Sequence, residues 1–206
     1  MTVYRYITGP IDVNTYLVFD ETGSGFVVDP GGHCPELVDD IKNKGIDVKF
    51  IILTHAHADH IGAVEEIKAL TGAKVLLHKD DEEMLENPRL NTSIDLLFKP
   101  ISLKGDAFVD EDTVLKVGNM TLKFLHTPGH SKGGLSIVTD GAVFSGDTLF
   151  RASVGRTDFY GGNAAELLSS IKDKLFKLPD DTVVYTGHMQ PTTIEFEKRY
   201  NPFVQD

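Results

Sequence analysis

The sequence predicts an α+β chain folded as a four-layer αββα sandwich, with two sheets face to face and helices outside. Three observations carry that expectation. Each half of the chain offers several short strand-like runs and then helical ones, turn residues separate them, and no short-period repeat is visible. At 206 residues, 41% of them apolar, one domain spanning residues 1–206 has enough chain for a sizeable core.

The elements follow in order. Residues 3–8, 15–19 and 26–28 are β-rich runs between turn residues and open the first sheet. Over 35–44, Leu37, Val38 and Ile41 share one helical face, with Pro35 at its start and Gly45 past its end. Residues 48–54 have a continuous apolar centre, the pattern of a strand buried on both faces. A helix over 61–70, a strand over 74–77 and a short acidic helix over 79–86 come next. Residues 87–107 are the least regular stretch, suited to a mobile cover or a linker between halves. Strands return at 114–117, 121–125, 135–139 and 142–144, and a helix over 164–176, a strand over 182–185 and a helical piece over 192–198 complete the chain.

Composition narrows the function. Twenty Lys+Arg against 31 Asp+Glu give a formal charge of -11, which argues against a nucleic-acid partner held by its phosphates. Apolar runs such as Phe50 to Leu53 fall far short of the roughly 20 residues that span a bilayer, so no membrane partner is expected. The single cysteine, Cys34, cannot form an internal disulfide, and MTVYRYITGP lacks the features of a signal peptide. The expected location is the cytoplasm.

The stretch Thr54-His55-Ala56-His57-Ala58-Asp59-His60 places three imidazoles and a carboxylate just after a strand and before a helix. Imidazole nitrogen and carboxylate oxygen are donors for zinc, iron and manganese, and thiolate is absent. In the two-residue period of a strand-like loop, His55, His57 and Asp59 project alike and His60 turns the other way, which suits two adjacent metals. More candidates follow other strand ends: His130 in LHTPGH, Asp147 in FSGDT and His188 in YTGH. The glycines before them, Gly129, Gly146 and Gly187, permit sharp turns that aim those side chains.

Taken in order, VVDPGG, THAHADHIG, TPGHSKGG, FSGDTLF and YTGH resemble the motif series of the metallo-β-lactamase superfamily. LFRASVGRTDFYGG is similar to the matching stretch of short bacterial glyoxalase II-like hydroxyacylglutathione hydrolases. The resemblance implies two divalent metal ions, zinc foremost, with iron or manganese as alternatives. It implies that His55, His57 and His130 hold the first ion, that Asp59, His60 and His188 hold the second, and that Asp147 bridges them. It further implies hydrolysis of a small thioester of the S-lactoylglutathione type by a metal-bridging hydroxide, with His55, His57, Asp59 and Asp147 as the catalytic set. A thiolate leaves readily, which lessens the need for a dedicated general acid. Asp29 either orients the histidine loop from behind or is a plain turn residue before Pro30.

Arg156, Asp158, Phe159 and Tyr160 are candidate substrate contacts, with an internal Arg156 to Asp158 pair and simple loop packing of the aromatics as the alternatives. Cys34, at a helix start, has a reactive alternative to its reading as an inert thiol. His78 and His126 read as structural or surface groups. Two other activities fit the same motifs. One is a persulfide dioxygenase with a single iron on His57 or His55, His130 and Asp147; the other is a lactonase or lactamase using the same hydroxide.

Overall fold

Side chains alternate along the strands, and that alternation builds the layers. The structure, a computed structural model, describes residues 1–205. The first half runs β1 (Thr2–Thr8), β2 (Val13–Phe19), β3 (Ser24–Val28), α1 (Pro35–Asn43), β4 (Asp47–Ile52), α2 (Ala58–Ile61), α3 (Val64–Thr71), β5 (Lys74–Leu77), α4 (Glu82–Glu86), α5 (Ser93–Leu96) and β6 (Ala107–Phe108). Its strands lie in the order β1 to β6, antiparallel as far as β3 and parallel from β3 to β6. The second half runs β7 (Val114–Val117), β8 (Met120–His126), β9 (Leu135–Thr139), β10 (Ala142–Gly146), the ribbon β11 (Leu149–Phe150) and β12 (Ser153–Val154), α6 (Ala164–Ser169), β13 (Val183–Thr186), β14 (Thr192–Thr193) and α7 (Ile194–Tyr200). Its main sheet has the order β14-β13-β10-β9-β8-β7, with only β10 and β13 parallel.

On one face of the first sheet Leu17, Val27, Ile51 and Val75 pack against Leu37 and Ile41 of α1 and Val64 and Ile67 of α3. Their neighbours in sequence, Val18, Phe26, Ile52 and Leu76, face the other way and meet Leu122, Phe124, Ile137 and Phe144 of the second sheet. Beyond that sheet, Val143 and Val184 cover Leu167 and Ile171 and the α7 residue Ile194. These three apolar layers make the αββα sandwich, and each buried Val, Leu, Ile or Phe contributes about 1.5–3 kcal/mol to it.

Tertiary contacts override the sequence pattern in four places. The helix expected over 61–70 is two helices, because Ala63 N–H donates to Pro30 O at 2.8 Å and leaves the helical ladder. A Cβ at Gly62 would lie 2.2 Å from Gly31 O, so only glycine fits that junction. The helix expected over 164–176 ends as α6 and continues through a π turn, Ser170–Lys174, and a 3-10 turn, Leu175–Lys177. Leu167, Ile171 and Leu175 recur every fourth residue, and the wider turn keeps all three on the buried face. Residues 192–198 begin with the short strand β14, and Thr193 Oγ1 then caps α7 by accepting from Phe196 N at 3.2 Å. The irregular 87–107 stretch is anchored to the first half: Asn91 and Ser93 are fully buried, and Asn91 O accepts from Ala58 N at 2.8 Å. Among the described residues no helix is long and apolar enough to cross a membrane.

Candidate metal centre

The centre is built from strand ends. Asp29 follows β3 in a left-handed turn (φ 47°), and its carboxylate accepts from Thr54 N at 2.8 Å and Thr54 Oγ1 at 2.6 Å. Those bonds tie the end of β4 to the end of β3 and launch the histidine loop. His55 and His57 lie on that loop, whereas Asp59 and His60 belong to α2. The strand-like period therefore stops at His57. Asp59 does not project with His55 and His57 as the alternation suggests; the helix turns it toward His60 and His188.

Two donor groups result. In the first, His57 Nδ1 is 2.9 Å and His55 Nε2 is 3.2 Å from His130 Nε2. In the second, Asp59 Oδ2 is 3.1 Å from His188 Nε2 and 3.3 Å from His60 Nε2. Asp147 reaches both, with Oδ1 3.4 Å from His60 Nε2 and Oδ2 3.6 Å from His130 Nε2. Gly129 and Gly146 have the positive φ that the sharp turns call for, while Gly187 has an ordinary φ and is needed for space. A Cβ there would lie 2.1 Å from Asp147 Oδ1.

The outer ring nitrogens are held. His130 Nδ1 donates to Arg156 O at 2.7 Å, which leaves its Nε2 lone pair facing the centre, and His60 Nδ1 bonds Asp29 Oδ2 at 2.9 Å. Asp29 is thus both a turn residue and an orienting one. Meanwhile His57 Nε2, His60 Nε2 and Asp147 Oδ1 are buried with no hydrogen-bond partner. Orphaned donor atoms among imidazoles and carboxylates are what a bound cation satisfies, so the residues fit divalent metal.

Electrostatics separate the two groups. Burial, reinforced by the neighbouring imidazoles, drives His55 well below the ordinary imidazole range and His57 down to about 3. Burial also opposes protonation of His60, but Asp59, Asp147 and Asp29 override it and raise its pKa well above the usual value. His188 is raised in the same way by its bond to Asp59 and by Asp147. Burial works against ionisation of Asp59 and Asp147 too, yet His60 beside both carboxylates holds them below the ordinary range.

A cavity of about 680 Å³ opens over this centre. Arg156 and Phe159 line it; Asp158 and Tyr160 do not. Asp158 instead takes the Arg156 guanidinium through two bonds of 2.6 Å, and Arg156 lies over the Phe159 ring at 4.1 Å. Tyr160 turns away, donating to Glu83 Oε2 at 2.7 Å while Lys132 Nζ donates to its hydroxyl at 3.0 Å. Sequence reasoning missed the remaining walls, among them Ile11, Thr92, Leu96, Phe150 and Met189. The one available signal was that Ile11 and Met189 neighbour turns, where exposed apolar side chains mark a mouth. Burial pushes the Cys34 thiol above its ordinary range, which disfavours the thiolate. His78 and His126 stack on each other at 3.9 Å, outside the centre.

Fold and centre together define a metal-dependent hydrolase. The chain belongs to the metallo-β-lactamase superfamily, whose family model matches residues 8–188. It is 39% identical to the Bacillus subtilis protein called "Probable metallo-hydrolase YqgX", over 97% of this chain and 96% of that one. It is 34% identical to the Haemophilus influenzae hydroxyacylglutathione hydrolase GloC, over 93% and 92% of the two chains. Among solved structures, the BLEG-1 B3 metallo-beta-lactamase superposes with a TM-score of 0.94 at 37% identity, covering 100% of both chains. TTHA1623 in a di-iron-bound form gives 0.84 at 34% identity, over 98% and 100% of the chains.

Proposed function

We propose that this protein hydrolyses small thioesters of the S-lactoylglutathione type in the cytoplasm, with two divalent ions, zinc foremost, and no nucleic-acid or membrane partner. The observation that carries the reading is the pair of donor groups joined through Asp147 beneath one cavity. His55, His57 and His130 would hold one ion, Asp59, His60 and His188 the other, with Asp147 between. Bound there, the ions supply a hydroxide-strength nucleophile at neutral pH and polarise the carbonyl under attack. The GloC name supports the thioester class, and the di-iron form of TTHA1623 supports a pair of ions.

The chain's own residues do the rest. His57, edge-on to the Phe159 ring at 5.2 Å, and His188, edge-on to Phe150 at 5.9 Å, put apolar walls beside the reacting position and limit water there. Arg156 is well exposed, so it can exchange Asp158 for a substrate carboxylate at little cost. The test is metal content by elemental mass spectrometry on protein purified without chelators, followed by thioester hydrolysis. Two ions per chain with turnover of S-lactoylglutathione is the expected outcome. A single iron with oxygen uptake on glutathione persulfide would overturn it in favour of a dioxygenase.

A further inference from the structure

The acidic run Lys79-Asp80-Asp81-Glu82-Glu83 contains one residue that behaves unlike its neighbours. Asp81 is 1% exposed, whereas Asp80 and Glu82 on either side face solvent or lie partly open. It stands at the start of α4, where an aspartate usually caps its own helix, but its side chain makes no capping bond. The carboxylate is directed elsewhere. Oδ2 accepts from Ala56 N at 3.1 Å and from Ser131 Oγ at 2.9 Å, and Oδ1 accepts from Gly133 N at 2.6 Å.

Those partners are informative. Ala56 lies between His55 and His57, while Ser131 directly follows His130 and Gly133 comes two residues later. One carboxylate therefore holds the two loops that together form the three-imidazole group, across some 75 residues of sequence between His55 and His130. All three donors are uncharged, so no cation of the chain offsets the buried charge through these bonds. A Cβ at Gly133 would lie 2.6 Å from Asp81 N and 2.8 Å from its Cγ, so the approach is close. The same segment reaches a third loop through Glu83, which accepts from Tyr160.

We propose that Asp81 is a positioning residue for the metal centre: it fixes the spacing of His55, His57 and His130 by clamping their two loops, without touching metal or substrate. The proposal rests on the reading of these histidines as ligands. In Asp81→Asn one acceptor oxygen becomes an amide donor, and a backbone N–H of one of the two loops loses its partner. Losing such an outer partner typically lowers metal affinity about 10–100-fold.

The experiment compares zinc affinity, measured by competition with a chromophoric chelator, and thermal stability with and without zinc. Three proteins are needed besides wild type. Asp81→Asn is the main one, and Ser131→Ala removes a single donor should Asp81→Asn not fold. Glu197→Gln is the control: Glu197 is another fully buried carboxylate, bonded to Ala152 N, Thr192 Oγ1 and Asn201 Nδ2 and to neither of the loops that carry His55, His57 and His130. Expected results are a 10–100-fold loss of zinc affinity in Asp81→Asn, a smaller loss in Ser131→Ala, and none in Glu197→Gln despite its lower metal-free melting temperature. In Asp81→Asn kcat should recover at saturating zinc with KM unchanged. Wild-type zinc affinity in Asp81→Asn, or in Ser131→Ala if the first variant does not fold, would reduce Asp81 to a structural residue. If wild type itself takes up no metal, the proposed function fails and not the clamp alone.

Discussion

The three-imidazole group and the carboxylate-rich group lie side by side and share Asp147, yet His55 and His57 of the first are shifted down while His60 and His188 of the second are shifted up. Burial among other imidazoles makes His55 and His57 harder to protonate, whereas Asp59 and Asp147 make His60 and His188 easier to protonate. The difference is one of neighbours, since burial acts the same way on all four. A neutral imidazole is ready to bind a metal, whereas a protonated one must first release its proton. His55 and His57 thus meet less competition from protons for a cation than His60 and His188 do.

The comparison is broken most severely by Asp147→Ala, which removes the carboxylate whose two oxygens reach His60 of one group and His130 of the other. Turnover should fall by more than the roughly 100-fold upper range for loss of an outer partner, and metal per chain should fall with it in elemental analysis. A fully active Asp147→Ala enzyme would sink the shared-carboxylate scheme. His188→Ala should separate the groups, leaving the ion on His55, His57 and His130 and removing the other, so that metal content halves. Asp29→Asn acts on His60 through Nδ1 and on the histidine loop through Thr54, and should lower metal affinity about 10–100-fold in titrations.

A pH series sharpens the contrast. Unfolded histidine titrates near about 6.5. His57 lies at about 3 in the folded chain, so between those values the unfolded state binds more protons and metal-free stability falls on acidification. The raised His60 and His188 have the opposite sign: their contribution is complete below the unfolded value and is lost as pH rises through the folded one. Urea midpoints in chelator should show both limbs, with His57→Gln flattening the acid side and His188→Gln the alkaline side. Arg156→Ala should have the smallest effect, a rise in KM for anionic thioesters with kcat unchanged, because the guanidinium is exposed and already paired.

The seven candidate ligands were legible because His and Asp cluster in the segments that follow strands, a pattern that local sequence preserves. Their grouping was not: Asp59 follows α2 rather than the strand, and the start of a helix at Ala58 depends on Asn91 O accepting its N–H from a distant segment. The layers were readable from alternation in β2, β3 and β4, whereas the interruption at Gly62 and the wide turn after Ser169 arise from contacts with Gly31 and Pro128. Asp81 stayed hidden for a related reason. In an acidic run it looks solvated, and only packing shows that it is the buried member.

Four of the seven candidate ligands come from one loop and helix of the first sheet, and three from separate strand ends of the second. Ions held between them would join the halves much as a cross-link does, tying position 55 to position 188 and closing a loop of well over a hundred residues. Such a tie restricts the unfolded chain most when its loop is longest. It also cannot form until both sheets have docked, so cation capture belongs at the end of folding, and a nascent chain released before β13 is made would carry six of the seven candidate ligands but lack His188.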